Sequence, residues 1–263
     1  MDTDQAFYDL DGDDLIPSPL TRGPWSPQIQ HGGPPSALLA RAFEALAPPA
    51  QWHIARVTVD LLRPIAVDRP LRASAERSRE GKQVLGLCGE LRCDDRPVAR
   101  AHALCVRRQP LELPAHVLPP EQPVDPESFP PFVFAIFAWP VGFHTAVEAR
   151  LESGAIGRGS AVAWLRPRHP LVRGEPCSAL QRVMIVADAI NGIGCTLDMQ
   201  RFTFINADLS VYLHRLPEGP WVRLAATSSP QPDGIGLVEA QIGDHHGPIG
   251  HALEALVITA RGP

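Results

Sequence analysis

Asp188 is the residue of this 263-residue chain best placed to do chemistry. It closes the run Val183-Met184-Ile185-Val186-Ala187 and is followed by Ala189-Ile190, so the segment is apolar on every helical face but one. A helix that is apolar all round is buried. An ionised carboxylate on it is costly unless it is hydrogen-bonded or lines a cavity, and a buried acid of that kind is a candidate general base. The structural alternative is an Asp188 facing solvent at the helix end, capped by Asn191-Gly192. Glu254 lies in the alternating segment His251 to Ile258 and can either point at Asp188 or occupy the solvent face of an ordinary strand. Asn206, in Asn206-Ala207-Asp208, is either a turn former at the start of a strand or an amide that orients a water. His31-Gly32-Gly33-Pro34-Pro35 puts a histidine and two glycines at a helix start, where free N–H groups can hold an anion or a developing oxyanion. The alternative there is a tight turn before a proline at the first helical position.

Other chemistries lack their residues. There is no G-x-S-x-G for a nucleophile elbow, and Gly154 to Gly159 does not fit a dinucleotide loop. Asp9-Leu10-Asp11-Gly12-Asp13-Asp14 looks like a calcium loop, but its glycine is misplaced and Leu20 stands at the last ligand position. His144-x-x-x-Glu148 and His245-His246 lack further ligands at metal spacing, so no metal and no cofactor are expected. The five tryptophans read as packing anchors. Five cysteines form no C-x-x-C pair and read as reduced and mostly buried. Net charge is -5, and that argues against a broad nucleic-acid footprint. No run of 18 apolar residues suggests a membrane span. Six aspartates precede the first arginine, Arg22, where a secretory or transit peptide needs the opposite charge. The expectation is a cytoplasmic protein without nucleic-acid or membrane partners.

The elements that must position these residues fall into two halves. Of 29 prolines, eight lie between Pro110 and Pro131, and residues 109–131 read as an extended linker between domains at 1–108 and 132–263. The halves resemble each other at a shared offset of 151 to 152 residues. Leu62-Arg63-Pro64 answers to His214-Arg215-Leu216-Pro217, the turn at Asp94-Asp95-Arg96-Pro97 to Asp244-His245-His246-Gly247-Pro248, and Arg100 to Leu104 to His251 to Leu256. Each half reads as one helix followed by hairpin-connected strands. The first has a helix over Ser36 to Leu46 and strands near Arg56 to Arg63, Leu71 to Arg79, Gln83 to Cys93 and Val98 to Val106. The second has a helix near Ser178 to Ile190 and strands near Ala207 to His214, Trp221 to Ser228, Ile235 to Gly243 and Ile249 to Thr259. At this offset Asp188 falls opposite Ser36. The class is α+β, an antiparallel sheet wrapped around a helix, twice.

Gly23-Pro24-Trp25-Ser26-Pro27, His31 to Pro35, the Leu62-Arg63-Pro64 strand end and Asp188-Ala189-Ile190-Asn191-Gly192 resemble the acyl-CoA thioesterase family of double hot-dog proteins, with bacterial thioesterase II as the familiar relative. Asn206 to Leu209, His214 to Pro217 and Asp233-Gly234-Ile235-Gly236 continue the likeness from about Gly23 to Thr259. The resemblance implies two tandem hot-dog folds and hydrolysis of acyl-CoA without a covalent intermediate. In thioesterase II-like enzymes an Asp, a Thr and a Gln hold the attacking water. Asp188 matches the Asp, while Asn206 replaces the Thr and Glu254 the Gln, so two carboxylates would share the site and one should hold a proton. The implied roles are Asp188, Asn206 and Glu254 in catalysis and His31, Gly32 and Gly33 in substrate binding. Arg166, Arg168 and Arg173 are candidates for the CoA phosphates. The competing reading is a hot-dog protein that binds an acyl chain or hydrophobic metabolite without turnover. A homodimer follows by analogy.

Overall fold

The computed structural model describes residues 5–114, 117 and 123–261. The first half contributes β1 (Tyr8–Asp11), β2 (Asp14–Pro17), α1 (Gly33–Leu46), β3 (Trp52–Leu61), β4 (Leu71–Glu80), β5 (Val84–Cys93) and β6 (Arg96–Arg107). The second contributes α2 (Phe143–Ala146), β7 (Val147–Gly154), β8 (Ser160–Pro167), α3 (Ala179–Ala187), α4 (Ile190–Gly194), β9 (Phe202–Asn206), β10 (Asp208–Leu213), β11 (Val222–Pro230), β12 (Ile235–Asp244) and β13 (Gly247–Ala260). Parts of the proline-rich linker, residues 115, 116 and 118–122, and the first four residues lie outside the described residues. The described remainder of the linker holds a 3-10 turn at Pro126–Ser128, and Pro131 bridges to Arg150.

The strands form one antiparallel sheet in the order β1-β2-β4-β5-β6-β3-β10-β13-β12-β11-β8-β7, with β9 paired only to β13. That order is a palindrome of the two halves. Its centre is the β3–β10 pair, where Thr58 stands opposite Ser210, 152 residues apart, and the Ser210 hydroxyl donates to Thr58 Oγ1 at 3.2 Å. The repeat offset read from the sequence is therefore the spacing across a pseudo-twofold axis: two residues related by that axis can face each other only where it passes between the strands. The sheet wraps the helices, as expected for two tandem hot-dog folds.

Strand alternation supplies the core. Val57, Val59, Leu85, Leu87, Leu91, Leu224, Val238, Ala240 and Ala252 point inward against α1 and α3. Helix α1 opens with Gly32 as its cap and Pro34-Pro35 in the first turn, where missing N–H groups cost nothing. Helix α3 opens with a capping box, Ser178 accepting from the Gln181 N–H and Gln181 reaching back to Ser178.

The acidic stretch already set aside as a calcium loop proves to be a hairpin, and two local expectations are corrected. The acidic stretch Asp9 to Asp14 is the β1–β2 hairpin, with Asp11 opposite Asp14 and Gly12 at φ +60 in the turn. The single helix expected to run to Ile190 is broken between α3 and α4, at the point where β9 takes hold of it. There Asn206 bonds Asp188, and the Phe204 carbonyl accepts from Asn191. Only Cys105 and Cys195 of the five free cysteines are fully buried.

Candidate active site

The helices α1 and α3 lie antiparallel, so the N-terminus of α1 meets the C-terminus of α3. The His31-Gly32-Gly33 run is explained by how close they come. A Cβ on Gly33 would stand 2.0 Å from the Ile185 carbonyl oxygen, and one on Gly32 would stand 2.6 Å from Asp188 Oδ1. Only glycine lets the start of one helix rest on the end of the other. This contact brings His31, Gly32, Gly33 and Asp188 together from positions more than 150 residues apart, and β9 adds Asn206.

Asp188 caps α3, is 5% exposed and carries three contacts. His31 Nδ1 lies 2.7 Å from Oδ2, and Asn206 Nδ2 donates to Oδ1 at 2.6 Å. The Gly33 N–H, at the N-terminus of α1, is the third. That N–H is also 3.3 Å from His31 Nδ1. A ring nitrogen 2.7 Å from a carboxylate carries the proton, however, so the Gly33 donor turns to the acid. Burial pushes the Asp188 carboxyl up, but the His31 charge and hydrogen bond, the Asn206 amide and the Gly33 N–H outweigh it and hold Asp188 below its ordinary range. The charged form is the stable one in spite of burial.

His31 stacks face to face on Phe143, with centroids 3.7 Å apart and planes 5° from parallel. With Nδ1 committed to Asp188, its Nε2 has no protein partner among the described residues and is not sealed from solvent.

His31, Gly32, Phe143, Asp188 and Asn206 line a cavity of about 250 Å³. One wall is the first-half loop from Pro24 to Gly32 together with Leu61 to Ile65, and another is α4 with Phe204, Ile205 and Asn206 of β9. The third is Phe134, Ile136, Phe137 and Phe143, which follow the proline-rich stretch. Trp25 and Phe204 meet edge to face across the interior, with centroids 5.1 Å apart. The lining is largely apolar with a few polar side chains among it, the usual form of a small-molecule site.

Of the residues singled out from sequence, Asp188, Asn206, His31 and Gly32 line this cavity, while Gly33 sits behind Asp188 and turns its N–H to it. Glu254 is 0% exposed and does not line the cavity, and neither carboxyl oxygen has a hydrogen-bond partner. Burial, then the charges of Asp188 and Asp208, push its carboxyl well up and favour the neutral acid. Arg166, Arg168 and Arg173 do not line the cavity. Arg166 and Arg168 pair with Glu148 at 2.8 and 3.8 Å, and Arg173 pairs with Asp9. The guanidinium at the cavity is that of Arg63. It donates to the Pro97 carbonyl at 2.6 Å and has no carboxylate partner among the described residues. Two further features escaped the sequence reading. Five of the nine phenylalanines fall between Phe129 and Phe143, and three of them, Phe134, Phe137 and Phe143, form a wall of the cavity. Asn191, read as a cap, lies in α4 just past the break after Asp188 and lines the same cavity.

Comparison with known proteins identifies the family of the chain. Residues 21–106 match the model of the acyl-CoA thioesterase N-terminal domain, and residues 114–258 match that of the acyl-CoA thioesterase C-terminal domain. No curated protein sequence matches the chain. Among solved structures, a conserved hot-dog-fold protein from Alicyclobacillus acidocaldarius superposes with a TM-score of 0.70 at 16% identity, covering 97% of this chain and 95% of that one. The acyl-CoA thioesterase II TesB2 from Mycobacterium marinum gives 0.66 at 14% identity, over 97% of this chain and 94% of its own. The tesB protein from Mycobacterium avium subsp. paratuberculosis gives 0.62 at 17%, over 94% and 93%. At these identities the likeness is one of fold.

Proposed function

Since the chain belongs to the acyl-CoA thioesterase family, we propose that it hydrolyses acyl-CoA thioesters in the cavity headed by Asp188. The observation that carries this reading is an ionised carboxylate lining a largely apolar cavity, anchored by three donors from two separate segments, His31 and Gly33 on one and Asn206 on the other. Such anchoring pre-organises a charge where a reaction needs it. Water bound at Asp188 attacks the thioester carbon and gives up a proton to the site. The tetrahedral oxyanion collapses, the C–S bond breaks, and the CoA thiolate leaves to be protonated as the free thiol. Asn206 fixes one carboxylate oxygen, and the acyl group lies among Trp25, Phe134, Phe137 and Phe204. Arg63, exposed and free of a carboxylate partner, meets the CoA phosphates. Glu254, as a neutral acid behind Asp188, leaves the site a single negative charge.

Asp188 is the base in this reading. Its three contacts and lowered proton affinity favour a second version, in which His31 Nε2 takes the proton and Asp188 holds the imidazole and stabilises its charged form, as in other Asp–His pairs. Thiol release from a panel of acyl-CoAs tests the function, with Asp188→Asn and His31→Gln as controls. A histidine base predicts that both variants lose activity equally. A carboxylate base predicts that His31→Gln keeps a measurable fraction of what Asp188→Asn loses. A folded wild type that releases no thiol, yet gains thermal stability on adding acyl-CoA, would replace the hydrolase with a binding protein.

A further inference from the structure

His31 is held in two ways. Asp188 holds its Nδ1 at 2.7 Å, and Phe143 covers one face of its ring. A hydrogen bond alone leaves a ring free to rock about it. An aromatic face 3.7 Å away and 5° from parallel fixes the plane, and with it the direction of Nε2. Neighbouring carbonyls bring the two rings together. Thr21 accepts from the His31 N–H at 2.7 Å, and Arg22 accepts from the Phe143 N–H at 2.9 Å. Phe143 is buried and lines the cavity.

The next residue makes a second stack on a different partner. His144 lies on Phe137, with centroids 4.3 Å apart and planes at 27°. Phe137 belongs to residues 133–141, which form no helix or strand and carry Phe134, Ile136 and Phe137 into the cavity wall. This segment is tied where it begins and ends, by the Phe132 N–H on the Ala149 carbonyl at 3.0 Å and the Phe143 N–H on Arg22. Between these ties Phe134 rests beside Gly192 of α4 and Phe137 on His144 of α2. Gly142 joins the segment to α2, and a Cβ there would stand 3.1 Å from the Arg22 carbonyl oxygen and 3.2 Å from Trp139 Nε1. The seat is not fully satisfied: Trp139 Nε1 and His144 Nδ1 are sealed from solvent and have no partner. A buried polar atom without a partner is costly, and lifting the segment hydrates both. A segment with few backbone anchors is also the kind that opens locally.

Resting on the thioesterase reading, we propose that Phe143 is a positioning residue that acts through His31, and that residues 133–141 form a cover whose seating on His144 decides whether the Phe143–His31 stack is made. With the cover raised, substrate enters between it and α4. An acyl group in the cavity lies against Phe134 and Phe137 and draws the cover down. Phe137 then meets His144, and α2, a single helical turn, seats Phe143 on the imidazole. Closure thus excludes water and completes the site in one movement.

The test measures kcat and KM for hexanoyl-CoA, and the low-field proton resonance of the His31–Asp188 hydrogen bond, in the wild type, Phe143→Leu, His144→Ala and His144→Phe. Absence in His31→Gln assigns the resonance. Phe143→Leu is expected to lower kcat at least about tenfold, with KM within about threefold, and to broaden or remove the resonance. His144→Ala removes only the seat and is expected to act in the same direction more weakly. His144→Phe puts a ring back over Phe137 and is expected to recover both signals. An unchanged kcat in Phe143→Leu, or a rise in KM alone, overturns the positioning role. A resonance and kcat that survive His144→Ala, or that His144→Phe does not recover, overturn the coupling to the cover. Hydrogen exchange of residues 133–141 is expected to slow when the thioether hexyl-CoA is added to the wild type, and exchange that the thioether leaves unchanged overturns the cover. If no ester releases thiol, the hydrolase reading fails separately, and the resonance decides the coupling: loss in His144→Ala with return in His144→Phe sustains it, and no change overturns it. Should Phe143→Leu not fold, the two variants at the half-buried His144 carry the test.

Discussion

The two ends of the antiparallel helix pair contain similar parts and differ in space. At the far end, where α1 finishes and α3 begins, Glu44 is half-buried, and partial burial pushes its carboxyl up against the opposing hydrogen bonds from Ser178 and Gln181. Gln181 donates to it at 2.8 Å, and Arg41 and Glu175 close the flank as a bidentate pair at 2.7 and 2.6 Å. The space beside it, lined by Ala47, Trp52, His53 and Leu216, amounts to about 20 Å³, too little for a substrate. At the near end, Asp188 has three partners to the two of Glu44, and it faces about 250 Å³. A carboxylate held between the helices is thus not by itself a site. Glu44 is tied into a helix cap, whereas Asp188 is held still at the edge of a room. The offset's pairing of Asp188 with Ser36 does not hold in space: Ser36 lies in the first turn of α1 and Asp188 closes α3, and the buried Ser36 spends its hydroxyl on the Gly32 carbonyl at 2.7 Å. One half therefore carries the charge and the other the close-packed glycines that receive it.

The largest effect expected from this contrast is at Asp188. Asp188→Asn keeps the shape and removes the charge, and kcat should fall about 10²–10⁴-fold. Glu44→Gln, at the far end, should leave kcat within twofold and shift only Tm. Parallel rate and melting measurements on both variants decide the matter, and equal rate losses would end the distinction between the two ends. Gly32→Ala comes next. Its Cβ would stand 2.6 Å from Asp188 Oδ1 and displace the carboxylate. A misplacement near 1 Å can cost about 10²-fold, so kcat should drop on that scale with KM little changed.

How much of this was legible in the sequence follows from how each residue signals. The paired halves, the offset and most strand positions came from hydrophobic alternation and turn residues, which are local. Asp188 stood out because its neighbours are uniformly apolar, and His31-Gly32-Gly33 because glycine pairs punctuate a chain. What the glycines are for was not legible. They read as a possible oxyanion cradle, but they admit the end of α3, and the Gly33 N–H goes to Asp188. That contact is made across more than 150 residues of chain, and no spacing rule reports it. Strands β1, β2, β7, β8 and β9 were missed. The β1–β2 segment is acidic and its outward residues mask the alternation, while β9 is only five residues long. Asn191 was hidden by its type: an Asn-Gly pair after a helix normally ends it, and here the chain turns once more into α4 before stopping.

Glu254 gives a subtler test, of stability instead of rate. Its folded-state carboxyl is held well above the ordinary value by burial and by Asp188 and Asp208. From the unfolded chain's pKa, near 4.3, up to the folded one, the native protein keeps a proton that the unfolded chain has released. Stability therefore declines as pH rises through that window, by at most about 1.4 kcal/mol per pH unit. Glu254→Gln is neutral throughout and removes the decline. Its Tm relative to wild type should climb steadily from pH 5 towards pH 9, on top of a constant offset for the amide. A difference that stays flat over this range would mean that Glu254 is ionised in the native protein and that the near end carries two charges.

The smallest expected effect sharpens the account of space itself. Gly192 lies in α4 beside Asn191 and lines the cavity, and a Cβ there would sit 3.7 Å from the nearest Phe134 ring carbon, an ordinary contact. Gly192→Ala therefore costs no strain, and in a helix the exchange can add up to about 1 kcal/mol of stability. It also takes about one methyl group of volume from the room that distinguishes this end from the Glu44 end. If the cavity sets acyl size, the best substrate should shorten by about one carbon, with Tm unchanged or slightly raised and activity on the shortest esters retained. A panel of straight-chain acyl-CoAs from two to eight carbons reads this directly. An unchanged profile would place the acyl group somewhere other than between α4 and Phe134, and the volume contrast between the two ends would then have no bearing on what the enzyme selects.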